Sequence, residues 1–345
     1  MKLGLYPTGQ GPADVAAVRE AERLGFDSIW IAEAYGLDAL TPMAWWAGQT
    51  TTIGLGTIVC VVDARTPAAT AMAAMTLDHL SGGRFTLGLG VSGPVVVEGW
   101  YGRPFRKPLA RTREYIEVVR SIQARDAKVA YDGEFFQLPF TGDGAMGLGA
   151  PLKSSHRPLR PHQPLFLAAE GPKAIALSAE VADGWTAFYV SPHSDAYYRE
   201  RLEEGFARRP GGRPASFEVL AQVHVAIDDD VERAADHVRG NIALFVGGMG
   251  KPGANFHYDT LARIGFEAEC AAISRLWAAG DRAGAAASIP LALVESIALV
   301  GPVAKIRDEL PAWRASCISL MLPMVHTAPV DERLVGELAE LFLGG

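Results

Sequence analysis

Residues Ile53 to Pro94 read IGLGTIVCVVDARTPAATAMAAMTLDHLSGGRFTLGLGVSGP and hold a complete strand–helix–strand unit. Ile53 to Val62 is continuously apolar and rich in β-branched residues, the pattern of a strand buried on both faces of a parallel sheet. Pro67 to Leu80 follows as a helix with proline in its first turn. Ser81-Gly82-Gly83 ends that helix and Arg84 to Leu89 begins the next strand.

The same alternation extends in both directions. Upstream are a strand at Lys2 to Tyr6, a helix at Asp14 to Leu24, a strand at Asp27 to Ala32 and a helix at Ala39 to Thr50. Downstream come a helix at Leu109 to Ala124, a strand at Pro164 to Ala169 and a helix at Lys173 to Ala182. A strand at Trp185 to Val190, a helix around Asp195 to Arg208, a long strand at Phe217 to Ile227 and a helix at Val231 to Val246 complete this stretch. Helical material then fills roughly Tyr258 to Val300. Pro302 to Ala315 is a helix, Cys317 to Leu322 an eighth strand, and Glu332 to Phe342 a final helix.

Two segments interrupt the alternation. The first, about 128–163, carries Asp132-Gly133 between two extended runs, a hairpin signal, and then a Gly/Pro-rich stretch from Thr141. The second, about 247–290, opens on Gly247-Gly248-Met249-Gly250 and has breaks at Gly265, Gly280 and Pro290. Eight strands joined by helices predict a (β/α)8 TIM barrel over 1–345 as a single domain with these two insertions. A doubly wound open sheet is the rival, and the lack of a GxGxxG fingerprint after the first strand weighs against it.

Bulk properties narrow the function. A hydrophobic content of 49% over 345 residues supports a large core, and a net charge of -7 argues against a nucleic-acid partner, which needs a basic stripe. Cys60, Cys270 and Cys317 are odd in number and widely spaced, which suggests neither a disulfide framework nor a zinc site. No apolar run is long enough for a signal peptide or a membrane span, so the expectation is a cytoplasmic protein acting on a small-molecule substrate.

In such a barrel the chemistry sits at the carboxyl ends of the strands. Ala168-Ala169-Glu170-Gly171-Pro172-Lys173 ends a strand and opens a helix, where free backbone N–H groups and a lysine suit a phosphate; an ordinary strand-to-helix turn is the plain alternative. Leu87 to Pro94 is glycine-dense at another strand end, so that a flat ring or a phosphate can approach the backbone. Glu33, Tyr35 and Asp38 follow the second strand, and acids there serve as proton donors or hydrogen-bond acceptors. Tyr6, Trp100 and Tyr101 are aromatic rim candidates, Arg65 is a candidate for meeting an anionic ligand, and His224 lies on the Gln222 face of its strand. Cys60 reads as a buried small hydrophobe. Asp78, His79 and Arg84 fall at the opposite, amino end and read as a structural polar cluster.

The chain resembles the luciferase-like monooxygenase family, and within it the oxidoreductases that use the deazaflavin coenzyme F420. The segments that carry this are GFDSIWIAEAYGLDALTPMAWWA, the Ile53–Pro94 stretch, RTREYIEVVRSI with YDGEFFQLP, and AAEGPKAIALSAEVADGW. The resemblance implies hydride transfer between F420 and a small organic substrate. It implies the phosphate tail near Glu170, Gly171, Pro172 and Lys173, and the ring over Val59, Cys60 and Val61 and over Gly90, Val91, Ser92 and Gly93. It implies a non-proline cis peptide near Cys60-Val61, and homodimers are common among relatives. Alternatives within the fold are a monooxygenase using reduced FMN and oxygen, and a non-catalytic cofactor-binding relative. Many relatives carry a histidine after an acid behind the second strand; here Glu33-Ala34-Tyr35 stands there, so either Glu33 or Tyr35 replaces that proton donor or the substrate needs none.

Overall fold

The structure is a computed structural model that describes residues 1–7, 14–325 and 329–344. The rim positions Thr8 to Gln10 and His326, at the ends of the first and eighth strands, lie outside the described residues. Eight parallel strands form a ring: β1 Lys2–Leu5, β2 Ser28–Ile31, β3 Gly54–Thr57, β4 Phe85–Gly90, β5 Leu165–Ala168, β6 Gly184–Phe188, β7 Glu218–Ile227 and β8 Leu320–Val325. Each pairs with the next, and β8 pairs back to β1 through Lys2↔Leu320 and Leu3↔Met321. That last pairing closes the barrel and excludes the open sheet.

The barrel interior is filled by setting large side chains against glycines on neighbouring strands. Trp30 on β2 pairs with Gly56 on β3, where a Cβ would come within 2.3 Å of the indole. Phe166 on β5 pairs with Gly88 and Gly184 on its two flanks. The Trp30 and Phe166 rings stack at 5.4 Å, and Ile58, Leu220, Leu320 and Leu322 complete this inner cluster. Such shape matching holds a closed interior at crystal-like density. Helices wrap the outside and bury the other face of each strand.

Three boundaries differ from the sequence reading. The Ile53–Val62 run is not one strand: β3 stops at Thr57 and a short strand, Cys60–Val61, rejoins β4 after a bulge. The helical reading through Val300 fails at Ala298–Gly301. That segment is a strand alongside His224–Ile227 of β7, on the flank that β6 leaves after Gln222. The eighth strand runs Leu320–Val325, three residues later than Cys317–Leu322, because Ser319 is spent on pinning the strand start through Val219 and Glu218.

Of the two insertions, the first contains the expected hairpin, Tyr131–Asp132 against Gln137–Leu138, which Glu114 holds by accepting from the amides of Glu134 and Phe135 at 2.9 and 2.8 Å. The second is helical and shares a separate apolar cluster with the helix Val231–Gly248. At the amino end of the barrel Arg160 clamps Asp78 at 2.5 and 3.1 Å, and Arg84 donates to the carbonyls of Ala47, Thr50, Ile53 and Ser81. A cavity of about 140 Å³ beside Met75, Arg120, Arg160 and Gln163 belongs to this same structural end.

Gly88 carries a direct test of the bulge. A Cβ there would fall 1.7 Å from the Thr57 carbonyl oxygen, a backbone atom that cannot rotate away. Gly88→Ala is expected to destabilise the protein by about 3 kcal/mol in urea unfolding, as overpacking does; an unchanged midpoint would show that the bulge is not packed on β4.

Candidate functional site

The carboxyl rim is organised by the bulge between β3 and β4. Gly56 pairs with Thr86 and Cys60 with Leu89, so four steps along one strand (56 to 60) match three along the other (86 to 89). The extra residue is accommodated by a cis peptide between Ile58 and Val59. Thr57 bridges the gap, its Oγ1 accepting from the Gly88 amide and donating to the Gly88 carbonyl, both at 2.9 Å. The Val59 side chain sits over Gly90, where a Cβ would lie 2.4 Å from Val59 Cγ2. Val59, Cys60 and Val61 are thus brought against Gly90, Val91, Ser92 and Gly93, with Ser92 in a left-handed conformation (φ 57°).

Glu33 holds this bed from below. Its Oε1 accepts from the Val61 amide at 3.0 Å and from Arg65 Nη1 at 2.5 Å. Its Oε2 accepts from Arg65 Nη2 at 2.9 Å and from the Ala39 amide at 3.2 Å. The carboxylate is buried, and each of its oxygens accepts two hydrogen bonds. Arg65, considered as a contact for an anionic ligand, is likewise committed to Glu33. Tyr101 ties two rim loops by donating to the Ala34 carbonyl at 2.8 Å, and burial raises its hydroxyl pKa. Tyr6 packs against the inner cluster with its pKa raised by burial, whereas Tyr35 and Trp100 are exposed.

Across the rim, the helix Pro172–Val181 starts at Gly171 without a side-chain cap, and the space beyond Gly171 is open. Lys173 is exposed in its first turn. An uncapped helix start with a lysine fits a phosphate, and a glycine-floored bed fits a flat ring. The Glu170 carboxylate turns toward the second insertion, where His257 Nδ1 lies 2.9 Å from its Oε2. His224, offered as a pocket residue, is buried and packs against the rings of Phe188 and Tyr189. Among the described residues no cluster of three or more His, Cys, Asp or Glu side chains could hold a metal.

The luciferase-like monooxygenase family model matches residues 6–319. The chain belongs to the luciferase-like monooxygenase family. It is 47% identical over 334 residues to a Mycobacterium tuberculosis protein provisionally named a coenzyme F420-dependent oxidoreductase, covering 95% of this chain and 96% of that one. It is 30% identical over 285 residues to a 5,10-methylenetetrahydromethanopterin reductase of Archaeoglobus fulgidus, covering 82% and 80%. Its fold matches the coenzyme F420-dependent tetrahydromethanopterin reductase of Methanopyrus kandleri with a TM-score of 0.78, at 20% identity over 100% of this chain and 98% of that one.

Within this luciferase-like barrel the expected cis peptide exists but sits at Ile58-Val59, two residues before Cys60-Val61. The ladder to β4 has already resumed at Cys60, so the irregularity must precede it. His257 was missed altogether. It comes from an insertion with no motif, and the only signal was an isolated histidine behind a glycine-rich turn.

Two outcomes follow from the buried ionisable groups. Glu33→Gln removes one half of a buried pair and is expected to cost about 3 kcal/mol in denaturant unfolding; a loss under about 0.5 kcal/mol would mean the clamp is dispensable. All three thiols have their pKa pushed up to about 12 by burial. Native protein at pH 8 should therefore show no rapid reaction with Ellman's reagent and three thiols after unfolding. A fast native phase would contradict this.

Proposed function

We propose that this protein is an oxidoreductase that transfers hydride between coenzyme F420 and a small organic substrate. What carries the reading is the pairing of a glycine-floored bed with an uncapped, lysine-bearing helix start on one barrel rim, in a chain whose 47% identical relative bears the F420 name over nearly its full length. When bound, the deazaflavin supplies the hydride chemistry. Val59, Cys60 and Val61 with Gly90, Val91, Ser92 and Gly93 support the ring. The amides around Glu170, Gly171 and Pro172 and the Lys173 ammonium hold the phosphate. Glu33 acts as a positioning residue, since it fixes Val61 through its amide and leaves Arg65 neutralised. Tyr6, Tyr101 and Trp100 border the substrate side and limit water.

Three unpaired cysteines agree with a reducing compartment, and the proposal places the protein in the cytoplasm as a homodimer. No helix among the described residues is long and apolar enough to cross a membrane.

Fluorescence titration separates the two cofactors. F420 is expected to bind at about 1 μM or tighter and FMN at least about tenfold more weakly. Tighter FMN binding, with oxygen consumption by the reduced FMN complex, would replace this reading with the monooxygenase one.

A further inference from the structure

One polar pair at the rim is left over once the bed and the phosphate end are assigned. His257 is the second residue of the helix Phe256–Leu261, in the second insertion. Asn255 anchors that helix at both ends of its side chain. Its Oδ1 accepts from the amides of His257 and Tyr258 at 3.0 and 3.2 Å, and its Nδ2 donates to the carbonyls of Phe245 and Val246 at 2.9 Å. The imidazole is therefore delivered by a fixed support. On the other side of Phe256, its own ring reaches Phe105 of the loop after β4 at 6.2 Å, so this helix spans from the β4 side of the rim to the β6 side.

The imidazole itself is held in plane and tautomer. Phe245, Phe188 and Tyr189 stand 4.7, 5.5 and 5.8 Å from it, at interplanar angles of 87°, 80° and 83°. Nδ1 is tied to Glu170 Oε2 at 2.9 Å. Among the described residues Nε2 makes no hydrogen bond, and the side chain keeps 16% exposure. With Nδ1–H on the carboxylate, Nε2 is the nitrogen left to exchange a proton with whatever enters, accepting one as neutral imidazole and donating one as imidazolium; this is the arrangement of a general acid–base group. Of the expected donors after β2, Glu33 is paired with Arg65 and Tyr35 is exposed.

We propose that His257 is the proton donor to a neutral, largely apolar carbonyl substrate, with Glu170 as its positioning residue. This rests on the hydride-transfer reading above. The substrate class follows from the surroundings of the imidazole: the rings of Phe188, Tyr189 and Phe245 pack on it, and the Glu170 charge is spent on it. In the reductive direction a C–H bond forms at the carbonyl carbon from the hydride of the reduced deazaflavin, which is oxidised by two electrons. The C=O π bond breaks, its oxygen takes the Nε2 proton, and the imidazole regains a proton from water.

Nε2 donates only from the imidazolium, so the groups around it bear on the donor role. The groups that face His257 are Glu170, the Tyr189 hydroxyl that donates to Asn241 and is kept protonated by burial, and His224 behind Phe188 and Tyr189. Tyr258 and Asp259 lie on its own helix, and Cys270 is a buried thiol nearby with its pKa pushed up to about 12.

The test uses the full-length protein with reduced F420, cyclohexanone and benzaldehyde as neutral probes and pyruvate as a charged one. His257→Gln should keep F420 affinity within about twofold by fluorescence, lose about 10²–10⁴-fold in kcat, and lose the alkaline limb of the kcat–pH profile. Imidazole should restore part of the activity of His257→Ala. Glu170→Gln should alter that limb, because it removes the charge beside Nδ1. The neutral probes should exceed pyruvate by at least about tenfold in kcat/KM, the worth of about 1.4 kcal/mol. An F420-binding wild type that reduces neither neutral probe, or prefers pyruvate, overturns the substrate class. A His257→Gln variant that loses F420 affinity in step with activity, or keeps the wild-type pH profile, overturns the donor role. A wild type that does not bind F420 instead overturns the preceding reading, and this proposal with it.

Discussion

The rim depends on the ion pair between Glu33 and Arg65. Glu33 leaves the end of β2, and its carboxylate takes four donors: two from the guanidinium, one from the amide of Val61, one from the amide of Ala39. Its own amide donates to the Val59 carbonyl at 3.2 Å. One side chain therefore joins a barrel strand, the bulged continuation of its neighbour, and the start of the next helix. A buried carboxylate is costly to desolvate, and bidentate arginine pairing with two further donors is the arrangement that offsets the cost. Stability is not its main product. It specifies where Val59 to Val61 lie, and hence what the rim can hold.

Under that clamp the glycines do a complementary job. Gly88 yields its Cβ position to the Thr57 carbonyl, Gly90 yields to Val59, and Gly56 yields to Trp30. The bulge and the stacked Trp30–Phe166 interior are thus two consequences of one pattern, in which glycine on one strand admits bulk from the next. The resulting floor is closely packed, with Cys60 buried in it and its thiol pKa raised by that burial. A preorganised surface of this kind positions a ligand without reordering when it arrives.

The βα alternation was legible because parallel strands buried on both faces leave unbroken β-branched runs such as Ile53–Val62, and because proline and glycine punctuate the helices. The alternation predicted a barrel with an open sheet as its rival, and the β8–β1 pairing, which joins the two ends of the chain, decides between them. The strand Ala298–Gly301 was hidden for a related reason: it exists only because β6 ends early and leaves β7 with open hydrogen bonds. At the site, the bed and the uncapped helix start were visible as glycine density and as AEGPK. Glu33 was visible as an acid at the rim, but its engagement by Arg65, 32 residues on, was a tertiary fact. His257 and Glu170 are 87 residues apart and meet only in the fold, where Asn255 ties the start of the His257 helix to the carbonyls of Phe245 and Val246. No local pattern announces such a pairing.

The most direct measurement is a crystal structure of the protein with F420 bound. The account predicts the deazaflavin ring on Val59–Val61 and Gly90–Gly93, the phosphate at Gly171 and Lys173, and the His257 imidazole facing the open side of the ring with Glu170 still on Nδ1. A ring bound away from the bulge, or a phosphate away from the start of helix Pro172–Val181, would contradict it.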